Sequence, residues 1–528
     1  MYRCPVRSGT GARMRDLIFG LDAGTSMIKA VAFTTDGHEI ARADRRNTHA
    51  TTPNGGATMD MARLWTDCAG VLRELMATLD PATNRPVALS VTGQGDGTVL
   101  VDGKGAPVCD ALLWLDRRAA RWVVGMIGTE PDRARFRATG TGLTACQQGA
   151  QLNWMRQAMP EALERATTAF HCKDWLYLNL TGIRATDPCE ASFSFGNFRT
   201  RTYDDTVISA LGLDDLRSLL PPILDGAVET HALTPAAAAI TGLPAGLPVA
   251  LGYLDAACTA LGSGVHEGGR GYGCTIIGST GVHMKGMAAA DVRLDAAPGG
   301  YVLVLPIPGR VAQMQTNMSG TLNLDWVLGL GRDLVVSCGH DTPNLLGRLE
   351  EWLGTAGSTT PLYHPYISAA GERGPFVDPH ARAGFTGLHA GHGFADLVRG
   401  VVEGLCMASR DCYAAMGGMP DEVRLTGGAA RSDGVRRMMA ETLGVPLRRA
   451  MRDEAGAAGA AMIAAQAVGA YADMDACIAD WVTPRLGPAE APDPASATAR
   501  AQRFDVYRDL RASLPPVWAA LDAPPPKT

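Results

Sequence analysis

Lysine is almost missing from this chain. Of 48 basic residues in a sequence of 528, five are Lys (29, 104, 173, 285 and 527) and the remaining 43 are Arg. With abundant Ala and Gly this reads as a compositional bias, so an isolated Arg carries no functional weight by itself. Surplus charge of either sign is missing too: 48 basic against 54 acidic residues give a net charge of −6. They are interspersed, so there is no basic face of the kind nucleic-acid binders display. The 12 cysteines include no CxxC and no paired spacing, which is reduced, cytosolic usage rather than a disulfide framework. No stretch reaches the roughly 18 apolar residues of a membrane-spanning helix; the longest candidate, 455–470, is broken by Gln466 and is mostly Ala and Gly. The basic N-terminus (Arg3, Arg7, Arg13, Arg15) is followed by an apolar run, Leu17–Leu21, too short for a signal segment. A cytoplasmic protein without membrane or nucleic-acid partners is expected. Also missing are GxxxxGK[ST], HExxH and any Cys/His group at zinc spacing, so neither a Walker loop nor these metal motifs is available.

What is present is length and regular patterning. At 528 residues, 46% apolar and 19% charged, the chain has material for at least two hydrophobic cores. From Asp16, two strands joined at Ala23-Gly24 and a third after Asp36-Gly37 predict an antiparallel meander. Asp60 is placed to cap a helix whose Leu64, Cys68, Val71, Leu72 and Leu75 share one face, and a buried strand, Val87–Val91, follows. The plan recurs after Gly246: a strand Tyr272–Ile277, a Gly-Ser-Thr-Gly turn at 278–281 and a strand from Val282. A long helix from Phe394, a strand Glu422–Thr426, a helix capped by Ser432 and an Ala/Gly-rich helix from Asp453 complete the second half. The expected organisation is an N-terminal extension, 1–15; a first domain, 16–265; a second, 266–485; and a tail, 486–528, with one helix through Arg503–Leu514 and a disordered end.

Two turns could bind phosphate, and a third could receive a flat ligand. Asp22-Ala23-Gly24-Thr25-Ser26 follows a buried strand with a carboxylate able to hold hydrated Mg²⁺, and with backbone N–H groups and hydroxyls for an anion; Lys29 could project toward the same site. The competing reading is a plain hairpin turn. Gly278-Ser279-Thr280-Gly281 repeats this anatomy in the second half, and Gly427-Gly428-Ala429 would let a flat ligand approach the backbone, or be an ordinary strand-to-helix turn. Gly93–Gly97 imitates a dinucleotide glycine loop, but a strand rather than a helix follows it, so it reads as a hairpin turn. Asp255 is either the cap of a short helix, 256–262, or a carboxylate able to accept a hydroxyl proton.

Seven segments taken together, DAGTSMIK (22–29), TGQGDGTVLVD (92–102), LLWLDRRA (112–119), CKDWLYLNLTG (172–182), GYLDAACTALGSG (252–264), GSTGVHM (278–284) and LTGGAARSDGVRRMMAETLGVPL (425–447), resemble the FGGY carbohydrate kinases over about 16–480. The resemblance implies an α/β fold of two actin-like (ribonuclease H-like) domains, with mixed sheets flanked by helices and the active site in the cleft between them. The first domain would hold the substrate and the catalytic base, the second the nucleotide, with ATP and Mg²⁺ as cofactors. It further implies Asp22 at the metal; Gly24, Thr25, Ser26, Lys29, Gly278, Ser279, Thr280 and Gly281 at phosphates; Gly427, Gly428 and Ala429 at the adenosine; and Asp255 as base. Gln94-Gly95-Asp96 would contact the sugar where xylulokinases carry Met-His and glycerol kinases Arg-Glu. The expected substrate is therefore a short linear polyol, erythritol first, bracketed by Gln94, Asp96, Gln147 and Asp255; Gln147 and Gln148 could instead merely cap the helix they begin. Alternatives are a ketopentose or glycerol kinase, an actin-like or chaperone-like ATPase without sugar substrate, and a catalytically dead sugar sensor. A homodimer is left open.

Overall fold

The computed structural model describes residues 14–266, 271–294, 298–354 and 360–522. The expected extension 1–13, the linker centre 267–270 and the last residues, 523–528, lie outside them. Arg15, assigned by sequence to the extension, already begins the first strand.

Two six-stranded mixed sheets organise the chain. The first contains β1 (Arg15–Ala23), β2 (Met27–Thr34), β3 (Glu39–Arg46), β4 (Asn84–Gly93), β5 (Thr230–Ala232) and β6 (Pro248–Leu251), in the order β5-β6-β4-β1-β2-β3. β1, β2 and β3 form the antiparallel meander, while β4 and β6 run parallel to β1. The second contains β7 (Tyr272–Ile277), β8 (Gly281–Ala288), β9 (Tyr301–Val304), β10 (Arg310–Asn317), β11 (Glu422–Thr426) and β12 (Leu447–Arg449), in the order β9-β10-β8-β7-β11-β12. Here β7, β8 and β10 are the meander, and β11 and β12 run parallel to β7. The five-strand plan is thus the same twice, with one extra antiparallel strand on opposite edges of the two sheets.

Helices form where the apolar spacing predicts them. Asp60 accepts the Arg63 N–H at the start of α1 (Met61–Thr78), whose Leu64, Cys68, Val71, Leu72 and Leu75 are buried. In chain order, α2 is Gln148–Ala158, α3 Cys172–Thr181, α4 Pro188–Phe195, α5 Asp255–Gly262, α6 Phe394–Ala415, α7 Asp433–Leu443, α8 Ala455–Ala467 and α9 Pro494–Ser513. Ser432 accepts the Val435 N–H as the cap of α7. The tail is more ordered than its Pro/Ala composition suggests: α9 begins nine residues before the expected start, capped by Asp493, and packs on α6 and α7. Gly93–Gly97 is not a hairpin turn. Val99–Val101 pairs with Thr168–Phe170 rather than with β4, because Asp96 (φ 53°) and Gly97 (φ 77°) turn the chain out of the sheet.

α8 lies in the second half of the sequence but packs against α5, β1 and β4. The contact is backbone to backbone. A Cβ added at Gly20 would stand 2.0 Å from the Ala457 carbonyl oxygen, and one at Gly459 would stand 1.9 Å from that of Cys258. One apolar cluster accordingly runs from Ile18, Val31 and Phe33 through Ala457–Ala465 to Met284, Val302 and Val311.

Candidate active site

Both sheets deliver their loops to the same place for the same reason. β1, β4 and β6 are parallel, so their carboxyl ends bring Asp22, the 94–96 turn and Asp255 to one side of the first sheet. β7, β11 and β12 do likewise with the 278–281 turn, Gly427-Gly428 and Asp453-Glu454. Ligands of open α/β sheets bind at such carboxyl ends.

Two cavities open there and meet at Thr259 and Ile276. The larger, about 540 Å³, is lined by Asp22, Lys29 and Arg42 from the first sheet and by Gly427, Gly428, Arg431, Arg449, Asp453 and Glu454 from the second half. The smaller, about 260 Å³, is lined by Gly95, Asp96, Trp114, Cys146 and Asp255 on one side and by Thr280, Tyr301, Thr316 and Arg373 on the other. Each cavity is thus shared between the two halves of the chain.

Several expected site residues converge. Asp22 is the next-to-last residue of β1; one of its carboxylate oxygens, Oδ1, is buried without a hydrogen-bond partner. Burial pushes Asp22 up to about 6, against the pull of Lys29 and with a push from Glu454. Lys29, directly across the β1–β2 pair, reaches Glu454 at 2.7 Å. Asp255 is the first residue of α5 rather than its cap, and its Oδ1 accepts only the neighbouring Ala256 N–H, at 2.7 Å. Burial first, then the like charge of Asp22, push it up to about 8, with smaller pushes from Glu190 and Asp96. Asp96 accepts the Tyr301 O–H at 3.0 Å and the Cys146 S–H at 3.6 Å through Oδ2. Its Oδ1 is buried and unpartnered, and burial raises its pKa.

Others stand apart. Gly24, Thr25 and Ser26 line neither cavity: the Thr25 hydroxyl donates to Gln94 Oε1 (3.0 Å) and accepts from Trp114 Nε1 (2.7 Å), and Asn47 Nδ2 holds the Gly24 carbonyl at 2.8 Å. Gln94 is committed to Thr25, and Gln147 Nε2 donates to the Gly142 carbonyl at 2.9 Å, so both amides hold loops behind the smaller cavity instead of facing into it. Gln148 does the same, donating to the Phe170 carbonyl. Of the 278–281 turn, Thr280 lines the smaller cavity, while Gly278, Ser279 and Gly281 do not. The Ser279 and Gly278 carbonyls accept the Gly320 and Thr321 N–H groups, each at 2.7 Å. Gly427, at φ 91°, and Gly428 line the larger cavity, and Ala429 does not.

Sequence reasoning missed Glu454, Tyr301, Cys146 and Arg373, for which no local pattern speaks. It also missed a cluster behind the Asp96 turn. Lys173 is wholly buried, with Nζ 2.6, 2.6 and 2.7 Å from Asp174, Asp187 and Glu190, and His171 Nδ1 is 3.3 Å from Asp174 and Glu190. His171, Asp174 and Glu190 have metal-like spacing, but the ammonium fills the centre. Burial pushes Glu190 up to about 7, against the pull of His171 and Lys173. A signal existed in the scarcity of Lys: of the five, Lys173 and Lys29 pair with buried or half-buried carboxylates, although Lys104 is merely exposed.

Two carboxylates at the carboxyl ends of parallel strands thus face a divided cleft, with room in the larger cavity for a bulky ligand beside a small one in the other. The chain belongs to the FGGY family of carbohydrate kinases: the family's N-terminal domain matches residues 17–262 and its C-terminal domain residues 275–468. Such kinases take their phosphoryl group from ATP. Over 512 residues the chain is 55% identical to the erythritol kinase of Brucella abortus, covering 96% of this chain and 98% of that protein. A glycerol kinase of Alcanivorax borkumensis is 28% identical over 516 residues, 94% of this chain and 97% of that one. The crystal structure of a xylulose kinase from Rhodospirillum rubrum superposes with a TM-score of 0.83 at 26% identity, covering 95% of this chain and all of that one. Among the described residues, no helix is long and apolar enough to cross a membrane.

Proposed function

We propose that this protein transfers the γ-phosphoryl group of ATP to a terminal hydroxyl of erythritol, with Asp255 as general base. The observation that carries the substrate is the 55% identity, over 96% of the chain, to an erythritol kinase. A 260 Å³ cavity edged by two carboxylates suits a small all-hydroxyl molecule, and it speaks against an ATPase without an acceptor. ATP would occupy the 540 Å³ cavity, with the adenosine side toward Gly427 and Gly428 and the phosphates toward Lys29 and Thr280. The reaction belongs in the cytoplasm, where ATP is made available.

Asp22 and Asp255 fit a divalent cation, because Asp22 Oδ1 is buried and unpartnered and the Asp22 charge pushes Asp255 up. Bound Mg²⁺ would neutralise charge on the phosphate oxygens. Asp255 would hold the acceptor hydroxyl and take its proton as the new P–O bond forms, while the bond from the γ-phosphorus to the bridging oxygen breaks and ADP departs with that oxygen's electrons. Lys29 balances negative charge from the other side of β1, and the shared walls keep water out when both ligands are seated.

The test is ADP release, measured with erythritol, glycerol, xylitol, xylulose and ribulose as acceptors. Erythritol is expected to give the highest kcat/KM. A response to any of the others with none to erythritol would overturn the substrate.

A further inference from the structure

The smaller cavity receives one cation, and it comes from the second half of the chain. Arg373 lines it, and its Nε is buried with no hydrogen-bond partner. A buried guanidinium donor left unpaired is costly, and one that lines a cavity is placed for a ligand to complete it. The carboxylate next to it does not do so. Glu372 is turned back onto the backbone, accepting the N–H groups of Met318 and Arg373, each at 2.8 Å, and that of Gly374 at 3.4 Å. This arrangement fixes the Arg373 backbone and leaves its side chain directed elsewhere, 5.7 Å from the Trp114 ring centroid.

Electrostatics place Arg373 along the cavity. Its charge acts on Asp96, Cys146 and Tyr301, whereas the carboxylates that act on Asp255 are Asp22, Glu190 and Asp96. Arg373 therefore belongs to the Asp96 end. That end offers an unpartnered buried acceptor, Asp96 Oδ1, and an unpartnered buried donor, Arg373 Nε. A hydroxyl, which accepts and donates at once, satisfies both.

The geometry points to Arg373 as a specificity-determining residue that, with Asp96, binds the hydroxyls of a linear polyol beyond the one held at Asp255 and so reads its length. This rests on the reading that the reacting terminal hydroxyl sits at Asp255. A triol placed with one end at Asp255 carries one hydroxyl fewer toward Arg373 than a tetritol does. Leaving a polar group unpaired is the strongest means a site has of rejecting a ligand that lacks the matching hydroxyl.

Steady-state kinetics of Arg373→Met and Arg373→Lys with erythritol and glycerol, at saturating and at varied ATP, test this. For Arg373→Met, the KM for erythritol is expected to rise about 10- to 100-fold, the loss of one charged hydrogen bond. The KM values for ATP and for glycerol should stay within about twofold, so that the preference for the longer polyol collapses; Lys should restore part of it. An unchanged erythritol KM, an equal rise for both polyols, or a parallel rise in the KM for ATP would each overturn the assignment. Should Arg373→Met fail to fold, the erythritol-to-glycerol ratio of Arg373→Lys against wild type decides the point. If wild type ignores erythritol but accepts another linear polyol, the proposed substrate fails, and Arg373 is judged on that polyol against its homologue one carbon shorter.

Discussion

Asp255, the proposed base, is held in a place that strains the fold. An isolated carboxylate ionises near 3.8, yet burial and the Asp22 charge push this one up to about 8. A base must be ionised to act, so kcat/KM for the acceptor should fall as pH drops below about 8, and raising the Mg²⁺ concentration should move that limb to lower pH. A limb that ignores the cation would separate Asp255 from the metal site. The same shift sets a stability effect. Between 3.8 and about 8 the folded protein holds a proton that the unfolded chain releases, so stability falls as pH rises through that window. Asp255→Asn carries no such penalty. It is expected to lower kcat by about 10²- to 10⁴-fold while melting above wild type at pH 8 in the absence of ligands, by about 1 kcal/mol or more, with the gap narrowing toward pH 4. Asp22 and Asp255 were legible in the sequence because each follows a buried strand among small residues. Arg373 and Glu454 were not, since nothing adjacent in sequence marks them and 43 arginines hide any one. Gln94 and Gln147 show the limit of such reading: an amide near a turn looks the same in sequence whether it faces a cavity or bonds to a neighbouring loop, as these two do.

At the level of elements, the strands and their turns followed from alternation and glycine placement, and the twofold recurrence of strand-turn-strand was visible before any coordinate. What sequence could not give is the partner of α8. Its composition, almost wholly Ala and Gly, says that something approaches closely but not what, because small residues carry no directional preference; the structure supplies β1, β4 and α5. The contact predicts a sharp intolerance. Gly20→Ala or Gly459→Ala would drive a methyl into a carbonyl oxygen about 2 Å away, and backbone rather than a movable side chain stands in the way. Each should cost about 1–3 kcal/mol or more in chemical denaturation, while Gly469→Ala, with open space at its Cβ but a φ of 77°, should cost only the smaller backbone strain of about 1 kcal/mol. Equal losses at all three positions would mean that the close approach is not what α8 requires.

For the molecule as a whole, each cavity is assembled from both halves, so occupancy and the arrangement of the halves are coupled. ATP at 100 times its dissociation constant should stabilise the protein by about 2.7 kcal/mol, read as a thermal shift, and Asp255→Asn should keep most of that shift because the nucleotide cavity is not lined by Asp255. A polyol added to the ATP-loaded variant should raise the melting temperature further, and by more than the polyol does without ATP; equal increments with and without ATP would mean that the two cavities fill independently of one another.

The seam formed by α5 and α8 has a mechanical consequence. Two helices whose backbones approach this closely, at Gly262 against Ala455 and at Gly459 against Cys258, leave little room to move apart, yet the small residues at these contacts offer little resistance to turning. Opening of the cleft should therefore pivot about this seam as a fulcrum, with the far rims of the sheets sweeping the widest arc while Gly459 and Cys258 scarcely change their separation.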